Sequence, residues 1–252
     1  MGLMNLLSEK ISRIKLIHDD IRIYLRFLNE IGTANIHWGL WNNKPSKIIS
    51  KDEFVLAQAD LSKFVIVNIP KSVKSILDVG GGVGGFSHDL VKHGFNLLCI
   101  VPDKKLINFG KKRFPEVKFL RGSAEFFSTN MKYDTAIMLE SFQYFSDKGR
   151  ALSNISKYLN NNSSIMIIDE FDFSDDLSLG LPIESKLIKS LGKFGFLIKK
   201  NIELSEKVMP TCDFVSTYFK YKNSKIYGNW ASRKTEYLSG KIKYKLLVFE
   251  KN

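Results

Sequence analysis

A run of glycines follows a short apolar stretch that contains one aspartate. Ser75–Val79 contains Asp78 and leads directly into the loop Gly80–Gly85. Glycines let a backbone approach a ligand closely, and a loop that opens a helix presents free N–H groups that attract negative charge. A carboxylate at Asp78 would repel a pyrophosphate but suits a cationic amino group, directly or through water. The loop therefore predicts a ligand site that has an amino-binding carboxylate beside it.

A second candidate site residue, Glu140, follows the apolar run Ala136–Leu139. A carboxylate that is partly removed from water at the end of a strand is a candidate general base, or a group that orients a hydroxyl. Gln143 and Tyr144 follow within one turn and are candidate pocket residues. This stretch therefore predicts the reactive end of a crevice.

Three carboxylates at the end of a later apolar run, Asp169, Glu170 and Asp172, resemble a magnesium ligand set in type. No matching ligands are visible elsewhere in the sequence. We therefore predict that the protein uses no metal.

Short apolar segments alternate with segments of helical periodicity, which predicts an α/β fold: a doubly wound, seven-stranded, mostly parallel sheet with helices on both faces. The predicted strands are Ser75–Val79, Leu97–Val101, Lys118–Leu120, Thr135–Leu139, Ile165–Asp169, Phe196–Ile202 and Lys243–Glu250. The predicted helices are Met4–Ile31, as one or two helices, Asp52–Asn68, Lys105–Arg113, Lys148–Tyr158 and Ile183–Gly192. Residues 1–70 are expected to form an N-terminal helical cap and lid, and residues 71–252 the core. An irregular aromatic segment at Val208–Trp230 is expected to supply a lid insertion at about 205–235.

Composition allows one sizeable core, because 44% of the 252 residues are apolar, and no stretch is long enough to span a membrane. The net charge of +12 suggests nucleic acid or an anionic small substrate as a partner. Only seven of the 38 basic residues are Arg, the preferred residue for phosphate and base recognition, and they are dispersed. We therefore expect no nucleic-acid partner. Two isolated cysteines and the absence of a secretory signal suggest a soluble, cytoplasmic protein, either monomer or homodimer.

The glycine loop fits the G-x-G-x-x-G pattern of dinucleotide-binding folds as well as the G-x-G-x-G pattern of methyltransferases. The acid that the nicotinamide fingerprint expects after the loop is missing. The spacing downstream resembles class I S-adenosylmethionine-dependent methyltransferases over roughly residues 30–170. The segments that carry this resemblance are Asp78–Ser87, Leu120–Glu125, Tyr133–Asp134 and Leu139–Ser141.

The resemblance implies S-adenosyl-L-methionine as cofactor and gives each matching position a role. Asp78 and the backbone of Gly80, Gly81 and Gly82 would hold the methionine end. Ser123, Ala124 and Glu125 would lie beside the adenine. Leu139, Glu140 and Ser141 would lie beside the sulfonium.

The sequence differs from the usual methyltransferase pattern at two positions, and its N-terminal part resembles one subgroup of the family. Val101 stands where the family usually places the acid that binds the ribose hydroxyls, so Asp103, two residues later, is the candidate for that contact. Ser123 stands where an Asp is common. The aromatic stretch Ile36–Trp41, with the pair Ala57–Gln58 after it, is similar to the cap of the small-molecule subgroup that includes sarcosine, coclaurine and tocopherol methyltransferases.

Methyl transfer is an in-line displacement, so the protein must align acceptor and donor and exclude water. A hydroxyl acceptor also needs a base, for which His37 in the aromatic loop and Glu140 are the candidates. Candidate substrate contacts are Trp38, Trp41, Gln143, Tyr144, Tyr218 and Trp230. The sequence thus predicts O- or N-methylation of a small molecule. The basic charge favours an anionic metabolite such as a nucleotide-linked sugar or surface-glycan precursor. RNA methylation and non-catalytic cofactor binding are the alternatives.

Overall fold

The computed structural model describes residues 22, 23, 25–175, 177 and 179–251. The first part of the predicted cap, residues 1–21, lies outside the described residues. Residues 25–31 are helical and end at Gly32, whose φ of +84° and N–H bond to the Leu28 carbonyl (2.9 Å) terminate the helix. Among the described residues, no helix has both the length and the apolar character needed to cross a bilayer.

Seven strands form one sheet in the order β3-β2-β1-β4-β5-β7-β6. The strands β1 to β5 are parallel, whereas β7 pairs antiparallel with both β5 and β6. This confirms the predicted seven-stranded, mostly parallel sheet. The strands are β1 Ser75–Val79, β2 Asn96–Val101, β3 Phe119–Arg121, β4 Tyr133–Leu139, β5 Leu159–Asp172, β6 Phe196–Glu203 and β7 Ile242–Lys251.

Helices cover both faces of the sheet, and each face has its own buried apolar cluster. The helices are α1 Lys51–Val67, α2 Gly85–Lys92, α3 Lys104–Arg113, α4 Lys148–Lys157, α5 Glu184–Gly192, α6 Ser205–Val208, α7 Pro210–Phe219 and α8 Ser224–Leu238. Side chains of α1 to α3 pack on one face, and those of α4 and α5 pack on the other. In a third buried cluster, residues 27–31 and helix α1 pack against helix α7. Phe54 of α1 stacks there on Phe214 of α7, with 4.3 Å between the ring centroids.

The prediction of an irregular segment at Val208–Trp230 is wrong, because α7 and α8 occupy most of it. The buried positions Cys212, Val215 and Phe219 recur at intervals of three and four residues, which is helical spacing. Pro210 stands in the first turn, where the missing N–H leaves no helical bond unmade. The aromatic composition hid a regular helical pattern.

The chain leaves β1 for β2 and β3 on one side of the sheet and returns to β4 on the other side. At such a reversal the two loops that leave the strands diverge, and a crevice opens at the carboxyl ends of the strands. The glycine loop follows β1 and Glu140 follows β4, so the fold brings the two predicted regions to one crevice.

Candidate active site

The loop after β1 turns sharply because its glycines adopt backbone angles that other residues avoid. Gly80, Gly82 and Gly84 have φ of +86°, +59° and +85°. The Gly80 N–H bonds to the carbonyl of Ile100 at 2.8 Å, which fixes the start of the turn to β2. A Cβ on Gly80 would lie 2.4 Å from the Cβ of Ser141. The loop after β1 and the segment after β4 are therefore in direct contact.

Asp78 lies beneath this loop with 1% of its surface exposed. Its Oδ2 accepts a hydrogen bond of 2.5 Å from the Ser87 hydroxyl. Burial raises the pKa of Asp78 to about 6, against the opposing effect of that hydrogen bond. A Cβ on Gly81 would lie 2.4 Å from the same oxygen, so the loop closes over the carboxylate.

One cavity of about 670 Å³ extends over the carboxyl ends of β1, β2 and β4. This volume lies within the range of small-molecule and cofactor sites. It brings together most of the predicted site residues: Asp78, Gly80, Gly81, Gly82, Asp103, Ser123, Ala124, Glu125, Leu139, Glu140, Ser141, Gln143, Tyr144, His37, Trp38 and Trp230.

Two carboxylates along the cavity accept hydrogen bonds from backbone N–H groups. Asp103 caps α3, and its Oδ1 accepts the N–H groups of Lys105 (2.6 Å) and Leu106 (3.3 Å). The Oε1 of Glu125 accepts the N–H groups of Ser146 (2.8 Å) and Asp147 (3.3 Å). Both residues line the cavity on the side of β2 and β3. The contacts with ribose and adenine expected of them stay predictions.

Glu140 occupies the centre of the crevice in a strained conformation. Its φ is +54°, which is uncommon for a residue with a side chain and costs about 1–3 kcal/mol. Its Oε1 accepts two hydrogen bonds, from the N–H of Trp38 at 2.7 Å and from the hydroxyl of Tyr244 at 2.6 Å. No residue that the structure describes donates a hydrogen bond to its Oε2. The strained backbone thus presents to the cavity a carboxylate whose Oε1 is held by two donors and whose Oε2 is not.

The environment of Glu140 favours its neutral form. Burial raises the pKa of Glu140 well above its usual range, although the donors Tyr244 and Trp38 oppose this rise. The negative charges of Asp169 and Glu170 raise it further. A carboxylate with a raised pKa binds a proton more strongly, so Glu140 acts as a base only from its ionised form, which a positive charge nearby favours.

The segment 33–38 covers the cavity and is held by one glutamine of α1. The Oε1 of Gln58 accepts from the Thr33 hydroxyl at 2.8 Å, and its Nε2 donates to the carbonyls of Asn35 (2.8 Å) and His37 (2.6 Å). Gln58 is 1% exposed, so these bonds are removed from water. The pair Ala57–Gln58 noted in the sequence therefore fixes the aromatic loop.

Both ring nitrogens of His37 lie within hydrogen-bonding distance of other protein groups. Its Nδ1 lies 2.8 Å from the carbonyl of Trp38, so this nitrogen donates, and its Nε2 lies 3.1 Å from the Ser62 hydroxyl. Burial lowers the pKa of His37 to about 4. Because both ring nitrogens have protein partners, the geometry disfavours the catalytic role expected from the sequence, which stays a prediction.

Two predicted substrate contacts lie away from the cavity. Trp41 is buried against α7, where its Nε1 donates to the Thr211 hydroxyl at 3.1 Å. Tyr218 hydrogen-bonds Glu30 and has the ammonium of Lys222 over its ring. Neither residue belongs to the cavity wall. The geometry disfavours the substrate contacts expected of Trp41 and Tyr218, which stay predictions, because both residues connect the N-terminal region to α7.

The outer wall of the cavity comes from α8, through Asn229, Trp230 and Arg233. Arg233 lies about one turn after both Asn229 and Trp230, so the three side chains start from neighbouring positions on the helix. Trp230 packs on Trp38 with 4.9 Å between ring centroids. The Nε of Arg233 lies 3.7 Å from Glu170, and its Nη1 lies 3.3 Å from Glu236.

The three carboxylates at the end of β5 serve separate partners. Asp169 accepts from the backbone and side-chain N–H groups of Gln143 at 3.0 and 2.9 Å. Glu170 accepts from the Tyr237 hydroxyl at 2.7 Å, and Asp172 accepts from Ser174. Across the described part of the chain, no group of three or more His, Cys, Asp or Glu side chains is arranged to hold a metal ion.

Sequence comparison finds a methyltransferase domain. Residues 77–165 match the family described as "Methyltransferase domain". A relative from Alkaliphilus oremlandii (strain OhILAs), described as an uncharacterized methyltransferase, is 24% identical over 102 residues. That match covers 40% of this chain and 47% of the relative, so the chain aligns with about half the length of that curated protein.

Solved structures share the whole fold. A putative sarcosine dimethylglycine methyltransferase from Galdieria sulphuraria superposes with a TM-score of 0.77 at 15% identity, covering 93% of this chain and 98% of the other. The O-methyltransferase of a trans-AT polyketide synthase of Brevibacillus brevis, solved with S-adenosyl-L-homocysteine, gives 0.73 at 16% identity, covering 86% and 84%. Residues 77–165 thus match a methyltransferase domain, and the chain has the fold of these solved methyltransferases, which confirms the fold predicted from the sequence.

Several residues in or behind the cavity wall carry no sequence signal that marks them as site residues. Asn35, Asn229 and Arg233 line the cavity, while Tyr244 and Tyr237 hold its carboxylates from behind. Asn35 is adjacent to a sequence feature that did indicate the site, because it lies one residue before the aromatic stretch Ile36–Trp41. The two tyrosines reach the site through the antiparallel pairing of β7 and the packing of α8, and no local pattern marks such contacts.

Proposed function

We propose that the protein transfers a methyl group from S-adenosyl-L-methionine to an oxygen or nitrogen atom of a small molecule. The observation that carries this proposal is the continuity of the cavity. It begins at the glycine loop, crosses the ends of β2 and β4, and reaches the carboxylate of Glu140 under the rings of Trp38 and Trp230. Donor and acceptor would therefore have adjoining places in one continuous cavity.

The cofactor end of the cavity fits S-adenosylmethionine on several observations. The loop is closed to any side chain at Gly80 and Gly81, which leaves backbone groups facing the cavity. The buried Oδ1 of Asn35 has no hydrogen-bond partner among the described residues, and Asn35 lines this end. An unpaired buried oxygen is costly unless a ligand donor satisfies it, and the amino group of the cofactor supplies such donors. The Brevibacillus neighbour with bound S-adenosyl-L-homocysteine supports the same cofactor.

The residues of the chain would divide the work as follows. Asp78 and the loop would hold the amino-acid end, and Ser123, Ala124 and Glu125 the adenine. The cofactor supplies an activated methyl group on a sulfonium. Glu140 would accept a proton from the acceptor, while Trp38 and Trp230 would exclude water from the reacting atoms.

An anionic acceptor, which the net charge suggested, gains little from the cavity. Arg233 is the one Lys or Arg side chain among the residues that line it in the described chain, and Glu170 and Glu236 already flank that guanidinium. The proposed function therefore extends to a small-molecule acceptor without a required negative charge.

Calorimetry followed by mass spectrometry tests this function. The full chain is titrated with S-adenosyl-L-homocysteine, and we expect 1:1 binding in the micromolar range or tighter (about −8 kcal/mol). The protein is then incubated with S-adenosyl-L-methionine and a panel of amines, phenols and sugar phosphates, and we expect a mass increase of one methyl group in at least one compound. Failure to bind S-adenosyl-L-homocysteine would refute the proposal.

A further inference from the structure

The acceptor end of the cavity has a charge pattern that the proposed function leaves open. Two carboxylates, Glu140 and Glu170, line it. Each is held from behind by a tyrosine hydroxyl on its Oε1, from Tyr244 at 2.6 Å and from Tyr237 at 2.7 Å. The described residues donate no hydrogen bond to either Oε2. Two carboxylate oxygens therefore remain for a ligand that can donate hydrogen bonds.

Glu170 makes this pattern more than a solvated acidic surface. It is 3% exposed, so water contributes little to the hydration of its carboxylate. Burial raises the pKa of Glu170, so a hydrogen-bond donor or a positive charge at its Oε2 is needed to favour the charged form of this carboxylate. Arg233 compensates in part, but its Nε lies 3.7 Å away, beyond hydrogen-bonding distance, and its Nη1 is directed to Glu236.

The aromatic residues of the cavity wall also favour a positively charged ligand. Trp38 and Trp230 both line the cavity, with ring centroids 4.9 Å apart and planes inclined at 48°. Indole faces attract cations such as ammonium groups, and the attraction strengthens when water is excluded. Trp38 also connects the rings to the acid, because its N–H donates to Glu140 at 2.7 Å.

We propose that the acceptor subsite takes a small molecule whose reacting group is an amine, held as a cation between Glu140, Glu170 and the two indole rings. This inference rests on the proposed function and selects nitrogen among its possible acceptor atoms. A carboxylate or phosphate at the same position would face two acids and a guanidinium that is already paired. A neutral hydroxyl would bring no positive charge of its own to the two acids and the indole rings.

The subsite also accounts for the proton that the amine must lose. The ammonium nitrogen gives one proton to Oε2 of Glu140, and its freed lone pair forms the new N–C bond. The C–S bond of the methyl donor breaks with its electron pair remaining on sulfur. The positive charge of the bound ammonium group favours the ionised form of Glu140, and the burial that raises the pKa of Glu140 makes that form a stronger base.

Binding of matched probes to the protein saturated with S-adenosyl-L-homocysteine tests the inference without turnover. The probes are phenethylamine, 2-phenylethanol and 3-phenylpropanoate, which share one skeleton and differ in charge, and the corresponding butyl series. Fluorescence of the tryptophans is the signal, because Trp38 and Trp230 line the cavity. We expect the amine to bind about tenfold or more tightly than the alcohol or the carboxylate.

Isosteric variants locate the preference. Glu140→Gln keeps an oxygen for Trp38 and Tyr244 but turns an NH₂ group toward the cavity, and Glu170→Gln does the same beside Tyr237. Each is expected to weaken amine binding about tenfold and to leave alcohol binding within about twofold. Glu203→Gln, which loses an ion pair with Lys243 away from the cavity, is the matched control and should keep the preference. Thermal unfolding and binding of S-adenosyl-L-homocysteine verify that each variant is folded.

Three results would overturn the amine subsite: tighter binding of the alcohol or the carboxylate, no detectable amine binding, or a preference that survives both Gln variants. A further result would reassign the acids. If Glu140→Gln weakens S-adenosyl-L-methionine relative to S-adenosyl-L-homocysteine and changes no probe, the carboxylate serves the sulfonium alone and the inference is wrong. Because cofactor binding is measured on the same samples, failure of the proposed function would be visible separately.

Discussion

Gly80 is the residue at which the shape of the cavity depends most directly on a missing methyl group. A Cβ there would lie 2.4 Å from the Cβ of Ser141, whereas a Cβ on Gly94 would have no neighbour within 4 Å. Both glycines have a φ of +86°, so alanine strains the backbone equally at the two positions. The pair therefore separates backbone strain from obstruction of the site.

We predict that Gly80→Ala weakens binding of S-adenosyl-L-homocysteine at least about 30-fold, because the loop must move away from Ser141. Gly94→Ala should bind within about twofold of the unchanged protein, although it too should lose about 1 kcal/mol of unfolding free energy. Calorimetric titration and urea unfolding measure the two quantities. Equal affinities for the two variants would show that the loop does not shape the cofactor site.

His37 makes a second residue-level prediction, on pH and stability. Its pKa is lowered from 6.5 to about 4 by burial, so the unfolded chain binds a proton at His37 between these values and the folded chain does not. The stabilising effect of the neutral ring is thus present above about pH 6.5 and is lost as the pH falls toward 4. We predict that the free energy of unfolding of the unchanged protein falls by up to about 3 kcal/mol relative to His37→Asn over this range.

Urea unfolding of the two proteins at several pH values measures this difference, and the comparison removes the contribution of other groups. Asp78 and Asp169 titrate with the opposite sign, because burial raises their pKa values to about 6 and about 7. A pH-independent difference between the two proteins would show that the ring of His37 is not buried as described.

At the scale of elements, the segment 33–38 depends on α1 for its position over the cavity. The Gln58 side chain holds this segment by donating two hydrogen bonds and accepting one, and the N–H of Trp38 donates to Glu140. We predict that Gln58→Ala costs about 2–4 kcal/mol of unfolding free energy and weakens cofactor binding at least about tenfold. Urea unfolding and calorimetry measure these effects.

The control for this variant lies on the same helix. Leu56 is 59% exposed on α1, so Leu56→Ala should change stability by less than about 0.5 kcal/mol and leave cofactor affinity unchanged. If Gln58→Ala binds the cofactor as well as Leu56→Ala does, the segment does not take part in holding it.

Elements whose signal is local could be predicted from the sequence. The strand Ser75–Val79 is observed as predicted. Its sequence signal is local, because the apolar run and the glycine loop that ends it lie within eleven residues. The predicted Lys105–Arg113 begins one residue earlier in the structure, where the side chain of Asp103 caps the helix. That same capping bond is why the role of Asp103 could not be read from its position alone.

Features that depend on distant packing could not be predicted. Tyr244 reaches Glu140 because β7 runs antiparallel beside β5, so the contact joins residues 104 apart in the chain. Trp41 and Tyr218 carry the aromatic character expected of pocket residues, but α7 packs against the N-terminal region and engages them there. Residue type indicated chemistry at these positions, and tertiary packing decided which residues are exposed to the cavity.

For the whole molecule, net charge and site charge differ. The chain carries +12, yet the cavity wall contains five carboxylates and one guanidinium among its described residues. These carboxylates are Asp78, Asp103, Glu125, Glu140 and Glu170. The positive charge therefore lies mainly elsewhere on the molecule. A cofactor with a sulfonium and an amino group, and an acceptor amine, are better matched to this wall than an anion.

The cavity also joins parts of the chain that lie far apart in sequence, from Asn35 before α1 to Arg233 on α8. A ligand that touches all of these parts suppresses their local opening together. We predict that S-adenosyl-L-homocysteine slows amide hydrogen exchange by about tenfold or more in residues 33–38, 78–85 and 139–141, and to a smaller extent in 229–233. The edge of the sheet at α5 and β6, residues 184–203, provides the internal control and should exchange at an unchanged rate, because none of its residues lines the cavity. Protection confined to 78–85, with none at 33–38 or 229–233, would mean that the cap and α8 do not enclose the bound cofactor.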